Sequence, residues 1–173
     1  YADSSAISRR MEIINRNTHD VKIDKAFSCC VDILPKDKLQ AITLHGAWLR
    51  EREQERTDIN HTAVSVSSTR GVSSSQANPS MILVNPNTTL DSGLAIGVNL
   101  IYSGDFKIQA QKDQFGKVRL LAGINDEDFE WTLEPNAKFS TPEVALVFSN
   151  QGINKMSQDF HNLYRKHLIN KKW

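Results

Sequence analysis

The sequence predicts a mainly β fold, an antiparallel β-sandwich with one C-terminal helix. Turn-forming residues recur roughly every eight to twelve positions, and the segments between them are short and rich in β-branched or aromatic residues. Apolar residues at helical spacing occur only near the end of the chain. Successive strands without an intervening helix favour antiparallel pairing, because parallel strands need long crossover connections.

The strands are predicted from these short β-rich segments. In chain order they are residues 7–15, 21–34, 39–44, 64–68, 81–84, 106–112, 117–123, 129–133 and 144–149. Within 21–34, positions of one parity run from Val21 through Phe27 to Cys29, which favours one long strand. The serine-rich stretch 65–80 has the composition of a loop.

The clearest local prediction is a β-hairpin. Apolar and polar residues alternate in 106–112 and 117–123, and Gly116 in the turn between them suits a left-handed backbone. The alternation assigns six residues to the core. They are Phe106, Ile108, Ala110, Val118, Leu120 and Ala122.

The C-terminal segment predicts a helix, with Asn154 available as its N-cap. The apolar residues at helical spacing are Met156, Phe160, Leu163 and Leu168. Such a helix either closes the sandwich or connects it to a following domain. We therefore divide the chain into a sandwich, residues 1–153, and a helix, residues 154–173.

Composition narrows the classes of function. The 21 Lys and Arg residues against 20 Asp and Glu give a net charge of +1, which argues against nucleic acid as the main partner. No apolar run approaches the roughly 18 residues of a membrane span. Cys29 and Cys30 are adjacent, so free thiols in a reducing compartment are expected. The histidine spacing does not suit a zinc site, and no metal or cofactor is expected.

Residues 45–56, His-Gly-Ala-Trp-Leu-Arg-Glu-Arg-Glu-Gln-Glu-Arg, are the candidate site. If the segment is extended, Trp48, Arg50 and Arg52 share one face and the glutamates take the other. An aromatic ring beside guanidinium donors suits a sugar, which stacks its C–H face and accepts hydrogen bonds through its hydroxyls. Spacing alone favours an alternative, an Arg–Glu ladder on a helix or a solvated strand, with Trp48 in the core.

Residues 45–52 strongly resemble the GAWxRER segment of family 36 α-galactosidases. Further elements of that family follow in order over nearly the whole chain, and their combination is more specific than any single one. They are Arg70-Gly71, Ser73-Ser74, Asn78-Pro79, Tyr102-Ser103-Gly104 with Phe106, Asp113-Gln114-Phe115-Gly116, Gly123-Ile124-Asn125, Leu133-Glu134-Pro135, Thr141-Pro142-Glu143, Met156-Ser157, Phe160-His161 and Leu163-Tyr164-Arg165.

The resemblance implies the second half of that family's N-terminal β-supersandwich domain, of the galactose-mutarotase-like type, ending at the helix that leads into a catalytic (β/α)₈ barrel. It also implies a cytoplasmic homo-oligomer whose substrates carry terminal α-galactosyl residues, as in melibiose and raffinose. Trp48 would be an aromatic wall of the galactose site, with Arg50 and Arg52 orienting it or contacting sugar hydroxyls.

The catalytic residues are not expected in this chain. Retaining glycosidases use two carboxylates about 5–5.5 Å apart. In the family both are barrel aspartates, the nucleophile lying in a Lys-Trp-Asp-Met-Asn-like motif that does not occur here. Two other classes stay open, namely a non-catalytic carbohydrate-binding sandwich and a structural oligomerisation domain with Trp48 at an interface.

The chain departs from the family pattern in three loops. Ser75 and Ala77 stand where histidines are usual, Asp126 and Glu127 replace a proline and an aromatic residue, and Asp105 stands where Asn is common. None of these positions belongs to the predicted core. The departures therefore concern loop chemistry and not the fold.

Overall fold

The structure is a computed structural model that describes residues 4–169. Fourteen strands, one α-helix and a π-helical turn make up this part of the chain. They are β1 Ala6–Arg9, β2 Glu12–Ile14, β3 Val21–Ile23, β4 Phe27–Ile33, β5 Gln40–Ala47, β6 Arg50–Asp58, β7 Val64–Ser67, β8 Ala77–Val84, β9 Ala95–Ile101, β10 Phe106–Lys112, β11 Val118–Ile124, β12 Trp131–Leu133, β13 Lys138–Ser140, β14 Glu143–Ser149, α1 Gly152–Leu163 and the turn Tyr164–Leu168.

Two antiparallel sheets form the sandwich. The larger has the order β1-β14-β9-β8-β5-β6, and the smaller has the order β4-β11-β10-β7. One apolar core joins them, with Met81 and Val98 from the larger sheet packed with Phe106 and Leu120 from the smaller. Two small ribbons, β12-β3 and β13-β2, cover a separate apolar cluster. The predicted mainly β sandwich is confirmed.

The helix α1 packs on the outer face of the larger sheet. Met156, Phe160 and Leu163 are buried there against β1, β9 and β14. A Cβ atom on Gly97 would overlap the side chains of Met156 and Phe160, so this glycine allows the close approach. Within residues 4–169, no helix combines the length and apolar character needed to cross a membrane.

The predicted hairpin is confirmed as β10 and β11. Phe106 pairs with Ile124 and Lys112 pairs with Val118, without a register shift. All six residues assigned to the core are buried. Gly116 adopts φ 84, as the turn prediction required.

Two segments that were each predicted as one strand, 21–34 and 7–15, in fact form two strands that belong to different sheets. In 21–34, β3 pairs with β12 while β4 pairs with β11 in the smaller sheet. In 7–15, β1 joins the larger sheet and β2 pairs with β13. Three strands, β6, β9 and β13, were not predicted, and the ends of the serine-rich stretch lie in β7 and β8 rather than in a loop.

The predicted helix is present, but its cap is different. It begins at Gly152 after Gln151, and no side-chain hydrogen bond caps it. The Nδ2 of Asn154 instead donates to Asp91 Oδ1 at 2.9 Å. Leu168 lies exposed in the π-helical turn. The last part of the predicted helix, residues 170–173, lies outside the described residues.

Candidate functional site

Trp48 lies at the tip of the hairpin that joins β5 to β6. Trp48 and Leu49 form the turn, with 84% and 75% of their surfaces exposed. This exposure excludes the interpretation of Trp48 as a core residue of this sandwich. The helical interpretation of 45–56 is also wrong, because the segment is a strand, a turn and a second strand.

A β-bulge shapes the base of this tip. His45 pairs with Glu53 and Ala47 pairs with Arg50, so two steps along β5 match three along β6. The extra residue falls where Arg52 adopts φ 63. Such bulges bend a strand and redirect its side chains.

Gly46 makes room for the bulge. A Cβ atom there would overlap the carbonyl oxygen of Arg50 and lie 2.8 Å from the Cα of Glu51. Real Cβ atoms do not approach backbone this closely. The backbone of residues 50 and 51 passes so close to position 46 that only glycine fits there. This is the glycine of the GAWxRER segment.

The predicted common face of Trp48, Arg50 and Arg52 was wrong. Trp48 lies in a turn, and the bulge interrupts the alternation between Arg50 and Arg52. Arg50 Nη1 lies 4.0 Å from Glu53 Oε1. Arg52 instead lines a cleft of about 430 Å³ between the larger sheet and α1, together with Asn78 and His161.

The side chain of Arg56 links β6 to β5 and to the turn that follows β8. Its Nε donates to Gln40 Oε1 at 2.6 Å, and its Nη2 donates to the carbonyl oxygens of Asn85 and Pro86 at 2.8 and 3.0 Å. Residues 50–56 of β6 are exposed, as the interpretation of this segment as a solvated strand requires. The guanidinium group of Arg56 therefore anchors the strand and takes no part in an Arg–Glu ladder.

His45 lies beside a polar cavity that sequence reasoning missed. Its Nε2 is 2.8 Å from Thr43 Oγ1 and 3.6 Å from Glu55 Oε2. These residues line an opening of about 410 Å³ between β5, β6 and the edge strand β7. The signal that could have found it is the parity that Thr43 and His45 share with the core residue Ala41, which places them on the inner face; Glu55 pairs with Thr43 across the hairpin.

Two of the departures from the family pattern, Asp105 and Asp126, form contacts of their own. Asp105 Oδ1 accepts hydrogen bonds from the N–H of Gly71 at 2.7 Å and from Ser68 Oγ at 3.4 Å. Asp126 forms ion pairs with Lys107 and Lys25, each at 2.8 Å. Hydrogen bonds from Lys107 and then Lys25 lower the pKa of Asp126 from 3.8 to about 2.

No metal centre is found in residues 4–169, where no three His, Cys, Asp or Glu side chains are grouped to hold an ion. Cys29 and Cys30 are both free thiols, one buried and one exposed. Burial raises the pKa of the Cys29 thiol, which favours its neutral form.

The fold and the hairpin define a β-sandwich domain that presents an aromatic side chain at its edge. Residues 1–134 match the model of the glycosyl hydrolase family 36 N-terminal domain, and residues 138–173 match the melibiase model. The chain therefore belongs to glycosyl hydrolase family 36, as the motifs indicated.

Its relatives are similar in sequence over almost the whole chain. It is 42% identical over 173 residues to α-galactosidase Mel36A of Lactobacillus acidophilus, covering 100% of this chain and 24% of that protein. It is 40% identical over 169 residues to α-galactosidase 1 of Pediococcus pentosaceus, covering 98% and 23%.

A solved structure shares the fold closely. A variant of the family 36 α-galactosidase AgaA from Geobacillus stearothermophilus, in complex with stachyose, superimposes with a TM-score of 0.93 at 40% identity. The match covers 98% of this chain and 24% of that one. The chain thus spans about a quarter of the length of the relatives it matches.

Proposed function

We propose that this chain is the N-terminal sandwich region of a retaining exo-α-galactosidase that removes terminal α-galactosyl residues from melibiose- and raffinose-type sugars. The observation that carries the proposal is the 42% identity to an α-galactosidase across the entire chain. A relative in complex with stachyose supports galactosides as the substrate class.

The chemistry is divided between this chain and the rest of the protein. Retention requires a nucleophile and an acid/base carboxylate about 5–5.5 Å apart. Both belong to a catalytic barrel outside this chain, toward which residues 154–173 lead from the sandwich of residues 1–153. The role of this chain is to bind and orient the sugar.

Trp48 is the residue that we assign to the sugar. Its ring is 84% exposed at a hairpin tip, where a planar apolar surface can stack on the C–H face of galactose. Arg50 follows this tip in β6 and either orients the ring or donates to sugar hydroxyls, whereas Arg52 would donate to the sugar from the cleft beside α1. A contact of this kind strengthens binding of the sugar without taking part in bond breaking.

A second candidate is an interface role within a cytoplasmic homo-oligomer. Trp48 and Leu49 together form an exposed apolar tip, and aromatic side chains are enriched at protein–protein interfaces. A sandwich that binds carbohydrate without a barrel is the third possibility.

Hydrolysis of an aryl α-galactoside by the full-length protein tests the proposal. We expect turnover with α-galactose as the first-formed anomer in an NMR time course, and no turnover by the isolated chain above a buffer blank. First-formed β-galactose would contradict the retaining mechanism. Galactose binding without hydrolysis by the full-length protein would identify a carbohydrate-binding module instead.

A further inference from the structure

The turn that carries Trp48 has an unfavourable backbone conformation. Leu49 adopts φ 64, in the left-handed region. Glycine, Asn and Asp enter this region readily, whereas a bulky apolar residue rarely does, because its Cβ crowds the following carbonyl. The sequence of the turn therefore does not by itself favour the conformation observed, and a neighbouring group must hold it.

Glu51 supplies that group. Its Oε1 accepts a hydrogen bond from the backbone N–H of Leu49 at 3.1 Å. The bulge at Glu51 and Arg52 accompanies this contact, and Gly46 leaves the space that the bulge needs. One carboxylate thus bonds to the residue in the turn whose backbone is strained.

The position of Trp48 depends on this backbone more than on packing. A side chain that is 84% exposed has few neighbours to fix it, so its location follows from the φ and ψ angles of the turn. A change at Leu49 would swing the adjacent indole by moving the main chain that carries it.

We propose that Glu51 is a positioning residue for Trp48: its carboxylate holds the Leu49 N–H, and so fixes the direction in which the indole is presented to the sugar. This inference rests on the proposed function, since it assigns Glu51 a part in the same sugar contact. Glu51 acts through Trp48 and does not itself touch the substrate.

The first test compares Glu51→Ala with Glu51→Gln in the full-length enzyme. We expect Glu51→Ala to lower kcat/KM for an aryl α-galactoside by about tenfold, with an unchanged unfolding midpoint. Glutamine keeps an acceptor oxygen at the same reach, so Glu51→Gln restores most of the loss. Glu127→Ala, which removes an exposed glutamate outside the β5–β6 hairpin, is the matched control and keeps the parental kcat/KM.

A double-mutant cycle separates positioning from an independent contact. If Glu51 acts through Trp48, Glu51→Ala causes no further loss of kcat/KM in a Trp48→Ala background. Additive losses would overturn the inference. If Trp48→Ala alone leaves kcat/KM unchanged, the proposed sugar contact of Trp48 fails; if Trp48→Ala lowers it and Glu51→Ala does not, only the positioning role fails.

A rescue experiment tests the physical cause. Asparagine enters the left-handed region more readily than leucine, so Leu49→Asn stabilises the turn without help from Glu51. We expect Leu49→Asn to recover part of the kcat/KM lost in Glu51→Ala. An equal loss of kcat/KM with and without Leu49→Asn would show that the Leu49 backbone is not what Glu51 controls.

Discussion

At the scale of single residues, Trp48 is so exposed that replacing it should affect sugar binding and not the stability of the fold. Burying its ring against a sugar would stabilise the transition state, whereas the free protein gains little from a side chain that is 84% exposed. We expect Trp48→Ala in the full-length enzyme to lower kcat/KM ten- to a hundredfold, which corresponds to about 1.4–2.8 kcal/mol. The unfolding midpoint should stay unchanged.

Trp131 offers a matched control for Trp48. Its ring packs on Phe139, with the two ring centroids 5.4 Å apart. Trp131→Ala should therefore lower the unfolding midpoint and leave kcat/KM unchanged, the reverse of Trp48→Ala. A normal kcat/KM with a lowered midpoint in Trp48→Ala would place Trp48 at a packed interface instead.

We expect the ion pairs of Asp126 to stabilise the fold at neutral pH and to lose this effect in acid. Its pKa is about 2 in the folded protein against an ordinary 3.8, so the stabilisation is complete above pH 3.8 and is lost as the pH falls through 2. Asp126→Asn should cost about 1–2 kcal/mol of unfolding free energy at pH 7. The difference from the parent in urea midpoint should narrow below pH 4. Glu127→Gln, its exposed neighbour, should show neither effect, and a difference that persists unchanged at pH 3 would contradict the ion-pair explanation.

At the scale of elements, the packing of α1 on β9 depends on one missing side chain. A methyl group at Gly97 would overlap Met156 and Phe160, so Gly97→Ala pushes the helix from the sheet. We expect Gly97→Ala to lower the unfolding free energy by about 1–3 kcal/mol, as overpacking usually does. Chemical denaturation measures this loss. Gln158→Ala, on the exposed side of α1, is the control and should leave the unfolding free energy unchanged. An unchanged unfolding free energy in Gly97→Ala would show that the helix shifts to make room for the methyl group.

Elements whose partners lie nearby in sequence were predictable. The β10–β11 hairpin closes through a turn of a few residues, so its alternation and Gly116 contain the information needed. The strand β9 was missed because it lies between the sandwich core and α1. Its residues Ala95 to Val98 are all buried, and a strand buried on both faces shows no alternation.

The candidate site was predictable in composition but not in geometry. The motif identified Trp48, yet the bulge follows from the approach of Arg50 and Glu51 to Gly46 across the hairpin. A parity rule assumes a regular strand, so it could not place Arg52 in the cleft by α1. The division of residues 21–34 was hidden for a similar reason, since each half takes its partner from a different sheet.

At the scale of the whole molecule, one end of the sandwich is uncovered. Phe148 has the same parity as the core residue Leu146, and Ile7 pairs directly with Leu146, so both face the inner side of the larger sheet. They are nevertheless 49% and 56% exposed, because the smaller sheet does not extend over them. Exposed apolar surface of this kind usually marks a contact with other protein.

We therefore expect the isolated chain to self-associate. Sedimentation velocity over a range of concentrations should show a rising average mass, and Ile7→Lys with Phe148→Lys should reduce it by placing charges on the uncovered surface. A monomer at every concentration would count against this expectation.

The pairing of β1 with β14 also determines when the protein can complete its larger sheet during synthesis. Ala6 pairs with Val147, and β14 is the strand that pairs with β1 in the described sheet. At about 5–20 residues per second, a ribosome needs roughly seven to thirty seconds between making these two residues. During that interval β1 has no edge to join. A nascent chain released before Glu143 would therefore present an unpaired strand to chaperones and proteases, however complete its other hairpins were.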